Sequence, residues 1–306
     1  MPKESFSSQS CALSRRPSCS GLNLDDLLMN TRSFADWIGH NDVREDVAHP
    51  GPVAGLAALL DHVTPPWDGK VLPPLAHWLY FPEHARQSEL GEDGHPSRGG
   101  FLPPITLPRR MWAGSTIAYH RPIALGMVMR RSSRIEEISE KAGRSGQLIF
   151  VRLRHDIEIA DGLALREWQD IVYREAQGVS TPRVEGATTR HSEASRHVTA
   201  DSRLLFRYSA LTFNAHRIHY DRDYCRRVEA YPGLVVHGPL LATLLLDHAM
   251  RIDRNMCPLE FSFRAQLPVF DTTPFALCLA HEGNHVGLWV ESSEGAAAMT
   301  AQLKMQ

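Results

Sequence analysis

The densest group of polar side chains in this sequence runs Tyr208-Ser209-Ala210-Leu211-Thr212-Phe213-Asn214-Ala215-His216-Arg217-Ile218-His219-Tyr220-Asp221. Val236-His237-Gly238-Pro239 follows, with His237 18 residues after His219. Histidine titrates near pH ~6.5, so it can take up and return a proton under physiological conditions. An asparagine amide both donates and accepts, so it can hold a water in line but cannot deprotonate it. A helix N-terminus offers free N–H groups and a partial positive charge to a developing oxyanion. His219, Asn214 and the N–H of Gly238 are therefore the candidate catalytic groups. Pro239 lacks an N–H, so Gly238 is the natural donor, and without a side chain it lets a substrate come close.

These residues need a helix and a sheet to hold them. Gly238-Pro239-Leu240-Leu241-Ala242-Thr243-Leu244-Leu245-Leu246-Asp247-His248 reads as an almost wholly apolar helix, and such a helix is buried on all sides. Its pattern echoes Gly51-Pro52-Val53-Ala54-Gly55-Leu56-Ala57-Ala58-Leu59-Leu60-Asp61-His62. Proline is tolerated in the first turn, where its missing N–H had no intrahelical partner. A second echo pairs Tyr119-His120-Arg121-Pro122-Ile123 with Arg264-Ala265-Gln266-Leu267-Pro268-Val269, each ending a strand at proline. Two echoes in the same order point to an internal duplication. Strand-like runs follow each helix, at 115–119, 127–138, 148–159 and 165–173, and at 259–264, 275–281, 285–291 and 296–305. Charged residues within them predict antiparallel strands with one wet face.

The fold expected is therefore α+β, an antiparallel sheet around a long central helix, made twice. Residues 83–100 read as a surface loop and 177–200 as an interdomain linker, poor in large apolar side chains. The expected units are a disordered tail at 1–20, an N-terminal half at 21–176 and a C-terminal half at 201–306. The N-terminal half shows no comparable polar cluster, so it is expected to enlarge the substrate cavity without doing chemistry. Of its 306 residues 43% are hydrophobic and 22% charged, a globular balance. The net charge of −2 favours neither nucleic acid nor an anionic membrane. No apolar run approaches the ~18 residues of a membrane span. Five scattered cysteines without a C-x-x-C pair predict reduced thiols and no metal site. The Ser-rich tail has no apolar core for a secretory signal, so the protein is expected in the cytoplasm, or in the mitochondrial matrix if Arg15 and Arg16 belong to a presequence.

The polar segment resembles the hydratase-2 motif of MaoC-like enzymes, approximately Ser-Gly-Asp-x-Asn-Pro-Ile-His-x-Asp. Aligned on its end, His219 falls on the catalytic histidine, Asp221 on the trailing acid and Asn214 on the catalytic aspartate. Val236-His237-Gly238 matches the run before the central helix. Leu211-Thr212-Phe213-Asn214-Ala215-His216-Arg217-Ile218-His219-Tyr220-Asp221 is closer still to the branch of hydroxyacyl-thioester dehydratase type 2, mesaconyl-C4-CoA hydratase and itaconyl-CoA hydratase. Leu107-Pro108-Arg109-Arg110-Met111-Trp112-Ala113-Gly114 also resembles that branch. The resemblance covers nearly the whole chain after the tail. It implies a tandem hot dog fold that hydrates a short branched or dicarboxylic enoyl-CoA, or runs the reverse reaction. It implies no cofactor beyond the CoA of the substrate, and a homodimer is compatible with it. The alternatives are a 3-hydroxyacyl-thioester dehydratase of fatty acid synthesis, a thioesterase, or a non-catalytic acyl-CoA-binding subunit.

Asn214 departs from the superfamily's aspartate, which leaves His219 to take a proton from water and pass it to the α-carbon alone. Asn214 either holds that water or forms an Asx turn. His237 either touches substrate or bonds to the loop, His216 is expected at the surface or behind the site, and Asp221 is expected to fix the loop. Asp61 and Asp247 read as structural. Arg109, Arg110, Trp112 and Arg264 are the candidates for contacts with a substrate carboxylate or CoA phosphate, because arginine binds such anions bidentately. Solvated surface positions are the alternative for the arginines.

Overall fold

A computed structural model of the chain describes residues 34–143, 146–175 and 190–306. The tail at 1–20 and the linker up to residue 189 lie outside the described residues.

Ten strands form one antiparallel sheet: β1 (Asn41–Val47), β2 (Arg109–Tyr119), β3 (Val128–Gly143), β4 (Gly146–Ile159), β5 (Gly162–Arg174), β6 (Ala194–Val198), β7 (Pro258–Ala265), β8 (Phe275–Glu282), β9 (His285–Glu291) and β10 (Ala297–Met305). Their order is β1-β3-β4-β5-β2-β7-β10-β9-β8-β6. The order is mirror-symmetric about the β2–β7 pair: β1 corresponds to β6, β3 to β8, β4 to β9 and β5 to β10. Each half thus repeats one strand arrangement, the architectural form of the sequence echo. The halves are not separate sheets, since β2 pairs with β7 from Gly114↔Arg264 to Ala118↔Glu260.

The described residues form four α-helices, α1 (Pro50–Leu59), α2 (Ser202–Leu211), α3 (Arg222–Arg227) and α4 (Gly238–Ile252), of which α4 packs on β8, β9 and β10. Every residue from Leu240 to Met250 of α4 is buried. Here the all-apolar pattern meant what it predicted, because sheet and neighbouring helices cover each face. Its counterpart α1 differs. It has ten residues, and Gly51, Ala54 and Ala58 face solvent. Only Val53, Leu56 and Leu59 reach the core, so the N-terminal helix is neither long nor enclosed. Small side chains keep such a face tolerable in water while reading as apolar in sequence. The echoed helix ends do meet: His62 Nε2 lies 2.5 Å from Asp247 Oδ1, and Arg196 and Arg251 also pair with that buried carboxylate. Asp247 is structural, as expected.

The eight expected strands are present, several longer than the apolar runs suggested. β1 and β6 were not anticipated. β6 occupies 194–198 within the expected linker and pairs with β8. Its sequence Ala-Ser-Arg-His-Val carries few large apolar side chains, because an edge strand needs only backbone pairing on one side. The expected surface loop at 83–100 is exposed over much of its length, and it also packs on the segment carrying Asn214 and His219 and lines the central cavity. No helix of the described residues is long and apolar enough to cross a membrane.

Candidate active site

The segment carrying Asn214 and His219 is placed by how α2 ends. Asp201 caps its start by accepting from Leu204 N at 2.9 Å. At its end Phe213 takes a left-handed backbone (φ 52°), Phe213 N donates to Ala210 O, and Asn214 N donates to Ser209 O. This paired closure reverses the chain. A phenylalanine in that conformation costs about 1 kcal/mol or more, which the surrounding bonds must offset. The reversed chain then makes a short 3-10 turn, Arg217–His219, before α3. Asp221 starts α3 by accepting from Tyr224 N and pairs with Arg217 at 2.7 Å, so it fixes the loop.

His219 is 7% exposed. Its Nδ1 lies 2.8 Å from the carbonyl of Val235, which can only accept, so Nδ1 carries the proton. Nε2 then keeps a free lone pair, and the side chain lines the central cavity. Burial pushes the imidazole down to about 4, opposed by the Val235 carbonyl bond, with the charge of His95 adding to the drop. At neutral pH His219 is an uncharged base. His237 lies flat against it, ring centroids 3.6 Å apart and planes 17° apart. His237 Nε2 bonds to Ser209 Oγ at 2.8 Å, and its buried Nδ1 has no partner. This histidine is thus tied to α2 while it lines the cavity and props the His219 ring.

Gly238 opens α4 at the cavity wall. The N–H groups of a first helical turn lack intrahelical acceptors, so they suit an oxyanion. A Cβ on Gly238 would meet only the Trp112 carbonyl, at 3.9 Å. The protein leaves room for a side chain there, so only a bound substrate would need the space.

Of the two roles the sequence left open for Asn214, the structure shows the turn. Its Oδ1 accepts from His216 N at 2.9 Å, an Asx turn, while its side-chain NH2 remains available at the cavity. Asn214→Asp preserves the acceptor and should keep most activity. Asn214→Ala loses turn and water contact together. A fall in kcat of at least about tenfold is expected, the ~1.4 kcal/mol of one hydrogen bond. Steady-state rates and thermal melts separate the roles: full kcat with a lowered melting temperature would assign Asn214 to the turn alone.

The cavity has a volume of about 880 Å³ and is walled by both halves. Among the candidate anion contacts, the structure separates members that the sequence could not. Arg110 and Trp112 line it. Arg110 reaches the Tyr173 hydroxyl, and no carboxylate of the described residues forms an ion pair with it. Arg109, its neighbour on the opposite strand face, is buried and paired with Glu229 at 3.1 Å, over the Tyr231 ring. Its job is to join β2 to the C-terminal half, so it is not brought to the cavity. Arg264 lies in a groove elsewhere on the sheet, with Trp289 and Gln302. Trp112 donates to Ser115 Oγ and packs edge-on against Trp78.

The expectation that the N-terminal half lacks a polar cluster is overturned. Glu167 is 3% exposed and lies 3.0 Å from His77 Nε2, and it accepts from Ser115 Oγ and Trp78 Nε1. Burial alone would raise its carboxyl, but the His77 hydrogen bond and neighbouring charges outweigh that and bring it down to about 2. His155 bridges Ser133 and Gln169 at 2.8 and 2.9 Å. Arg131 stacks on Phe81 at 5.0 Å, its buried Nε unpartnered. All of these except Ser115 line the cavity. The cluster escaped the sequence reading because its members come from different strands. A signal existed: Arg131 and Ser133 share the strand face of Met129 and Ile135, as Glu167 and Gln169 share that of Leu165 and Ile171.

His216, expected at the surface or behind the site, instead lines the cavity beside His219. Its ring lies 5.4 Å from that of His219 and 4.0 Å from that of His95, which comes from the 83–100 segment.

A family profile, hydroxyacyl-thioester dehydratase type 2, matches residues 75–271, which include the polar cluster, most of the cavity wall and the segment carrying Asn214 and His219. The chain belongs to this family. It is 44% identical over 279 residues to the mesaconyl-C(4)-CoA hydratase of Chloroflexus aurantiacus, covering 90% of this chain and 99% of that protein. It is 28% identical over 286 residues to the mitochondrial hydroxyacyl-thioester dehydratase type 2 of Schizosaccharomyces pombe, covering 81% of this chain and 92% of that one. Solved structures agree on the fold. A MaoC-like dehydratase superposes with a TM-score of 0.68 at 13% identity, over 90% of this chain and 99% of its own. A Mycobacterium tuberculosis protein described as a double hotdog fold gives 0.55 at 14%, over 89% and 98%. This family member is therefore a tandem hot dog enzyme of the hydratase/dehydratase class.

Proposed function

We propose that the protein hydrates a short branched or dicarboxylic enoyl-CoA, of the mesaconyl-CoA or itaconyl-CoA type, to the 3-hydroxyacyl-CoA, or catalyses the reverse. The observation that carries this reading is the polar lining of the cavity, to which Arg110, Arg131, His155 and Gln169 contribute beside apolar side chains. Long alkyl chains gain nothing from such groups and would desolvate them at a cost of about 1–3 kcal/mol each. A carboxylate would give Arg110 the ion-pair partner it lacks among the described residues. The name of the Chloroflexus relative supports the same reading.

In this mechanism Nε2 of His219 removes a proton from a water held by Asn214, and the water oxygen bonds to the β-carbon. The electron pair of the double bond moves towards the thioester carbonyl. Gly238 N–H and the α4 dipole stabilise the negative oxygen. The imidazolium, which burial disfavours, returns its proton to the α-carbon on the same face.

A panel of enoyl-CoAs tests the reading: mesaconyl-C4-CoA, itaconyl-CoA, crotonyl-CoA and a long-chain 2-enoyl-CoA, followed by loss of the conjugated-thioester absorbance with products identified by mass. The dicarboxylic substrates should show the highest kcat/KM. Preference for the long chain would replace this reading with the 3-hydroxyacyl-thioester dehydratase of fatty acid synthesis. Release of free CoA, seen with a thiol reagent, would mark a thioesterase.

A further inference from the structure

Beside the catalytic histidine is a second cluster that the hydration mechanism does not use. Asp93 and His95 come from the N-terminal half and His216 from the catalytic segment. One ligand atom from each lies within 4.8 Å of the other two. We propose that Asp93, His95 and His216 form a binding site for a divalent metal ion of the zinc class, which clamps the 83–100 segment onto the catalytic loop.

The donor set is two imidazoles and one carboxylate, which suits zinc and its neighbours. Three protein ligands leave a fourth position open to water, and His95 and His216 both line the cavity. With bonds of roughly 2.0–2.2 Å, tetrahedral ligand atoms stand about 3.3 Å apart, so the three groups must close in by an ångström or so. His95 Nδ1 already lies 3.1 Å from Asp93 Oδ2, and that contact would give way to the metal.

The backbone under the three side chains is fixed. Asp93 O accepts from Arg217 N at 2.8 Å, and Glu92 O accepts from the Arg217 guanidinium at 3.0 Å. Asp93 Oδ1 accepts from His95 N at 2.9 Å, and Asn214 holds His216 N at the same distance. Gly94 has φ +87°, and a Cβ there would fall 1.9 Å from Ala215 O, so the two segments touch backbone to backbone. Ligand positions held this way need little ordering on binding.

The protonation states agree. Burial holds both His95 and His216 below their usual range, which leaves neutral rings with lone pairs. Burial would raise the Asp93 carboxyl, but the His95 bond and nearby charges outweigh it and keep it ionised. Against these stand the positive charges of Arg110 and Arg98, which act on His95. Arg98 donates to the carbonyls of Ile105, Leu107 and Pro108, so its position is fixed and its repulsion is constant.

Chelator-stripped protein would be titrated with Zn²⁺ by calorimetry and with Co²⁺ by visible absorption, with circular dichroism confirming the fold of each variant. The expected result is one ion per chain, with the intense visible bands of four-coordinate Co²⁺. H95A and H216A should each weaken binding at least tenfold, and H219A should leave it within threefold. Absence of binding by the wild type would overturn the proposal whatever the variants do. So would binding that survives in the H95A/H216A double variant, as cysteine-held metal would. Neither result touches the hydration reading, which the substrate panel tests separately.

Discussion

His219→Ala should lower kcat for hydration by about 10²–10⁴-fold, the range typical of a lost general acid–base group. The effect follows from the tautomer. Nδ1–H is committed to Val235 O, so Nε2 is the one ring atom able to take the proton from water, and it lines the cavity. Asn214, an amide, cannot take that proton in its place. The variant loses a buried ring and its stack on His237, so some stability goes with it. His219→Gln keeps much of the volume and separates the effects. Both variants should be inactive, while the glutamine form melts closer to wild type. A folded variant with near-wild-type kcat would remove His219 from the mechanism and favour the non-catalytic acyl-CoA-binding subunit.

Arg110→Met should cost mesaconyl-C4-CoA roughly ten- to a hundredfold in kcat/KM, the about 1.5–3 kcal/mol of a charge-assisted hydrogen bond. Crotonyl-CoA, with no second carboxylate, should change little. The reasoning is one of pairing. A buried anion without a cation is strongly disfavoured, and Arg110 is a cavity cation with no ion-pair partner among the described residues. The other arginines give internal controls. Arg109→Met breaks the Glu229 pair, so it should lower the melting temperature and affect both substrates alike. Arg264→Met should change neither. Equal losses on both substrates in Arg110→Met would mean that this side chain binds CoA or supports the wall.

Much of the fold and part of the site can be read from the chain. Local pattern suffices for α4, for the eight apolar strands and for the duplication, because burial demands apolar side chains at fixed periods. It suffices to single out His219, Asn214 and Gly238, because the turn after α2 and the start of α4 are local events. It fails for β6 and β1, where an edge position lets polar residues form a strand. It fails for α1, whose alanines and glycines read as core although they face water.

The sequence by itself determined the duplicated α+β framework, the polar segment 208–221 and the family to which the chain belongs. Only the tertiary structure decided what surrounds that segment. Arg109 and Arg110 are adjacent in sequence, yet strand alternation sends one into an ion pair with Glu229 and the other to the cavity. Glu167, His155 and Arg131 lie on three strands and become one polar wall through antiparallel register. His95 reaches His216 across more than a hundred residues because Gly94 lets two backbones touch. The physical reason is the same in each case. Periodicity along a chain reports which side chains share a face, whereas contacts between faces depend on register and packing that no single segment encodes.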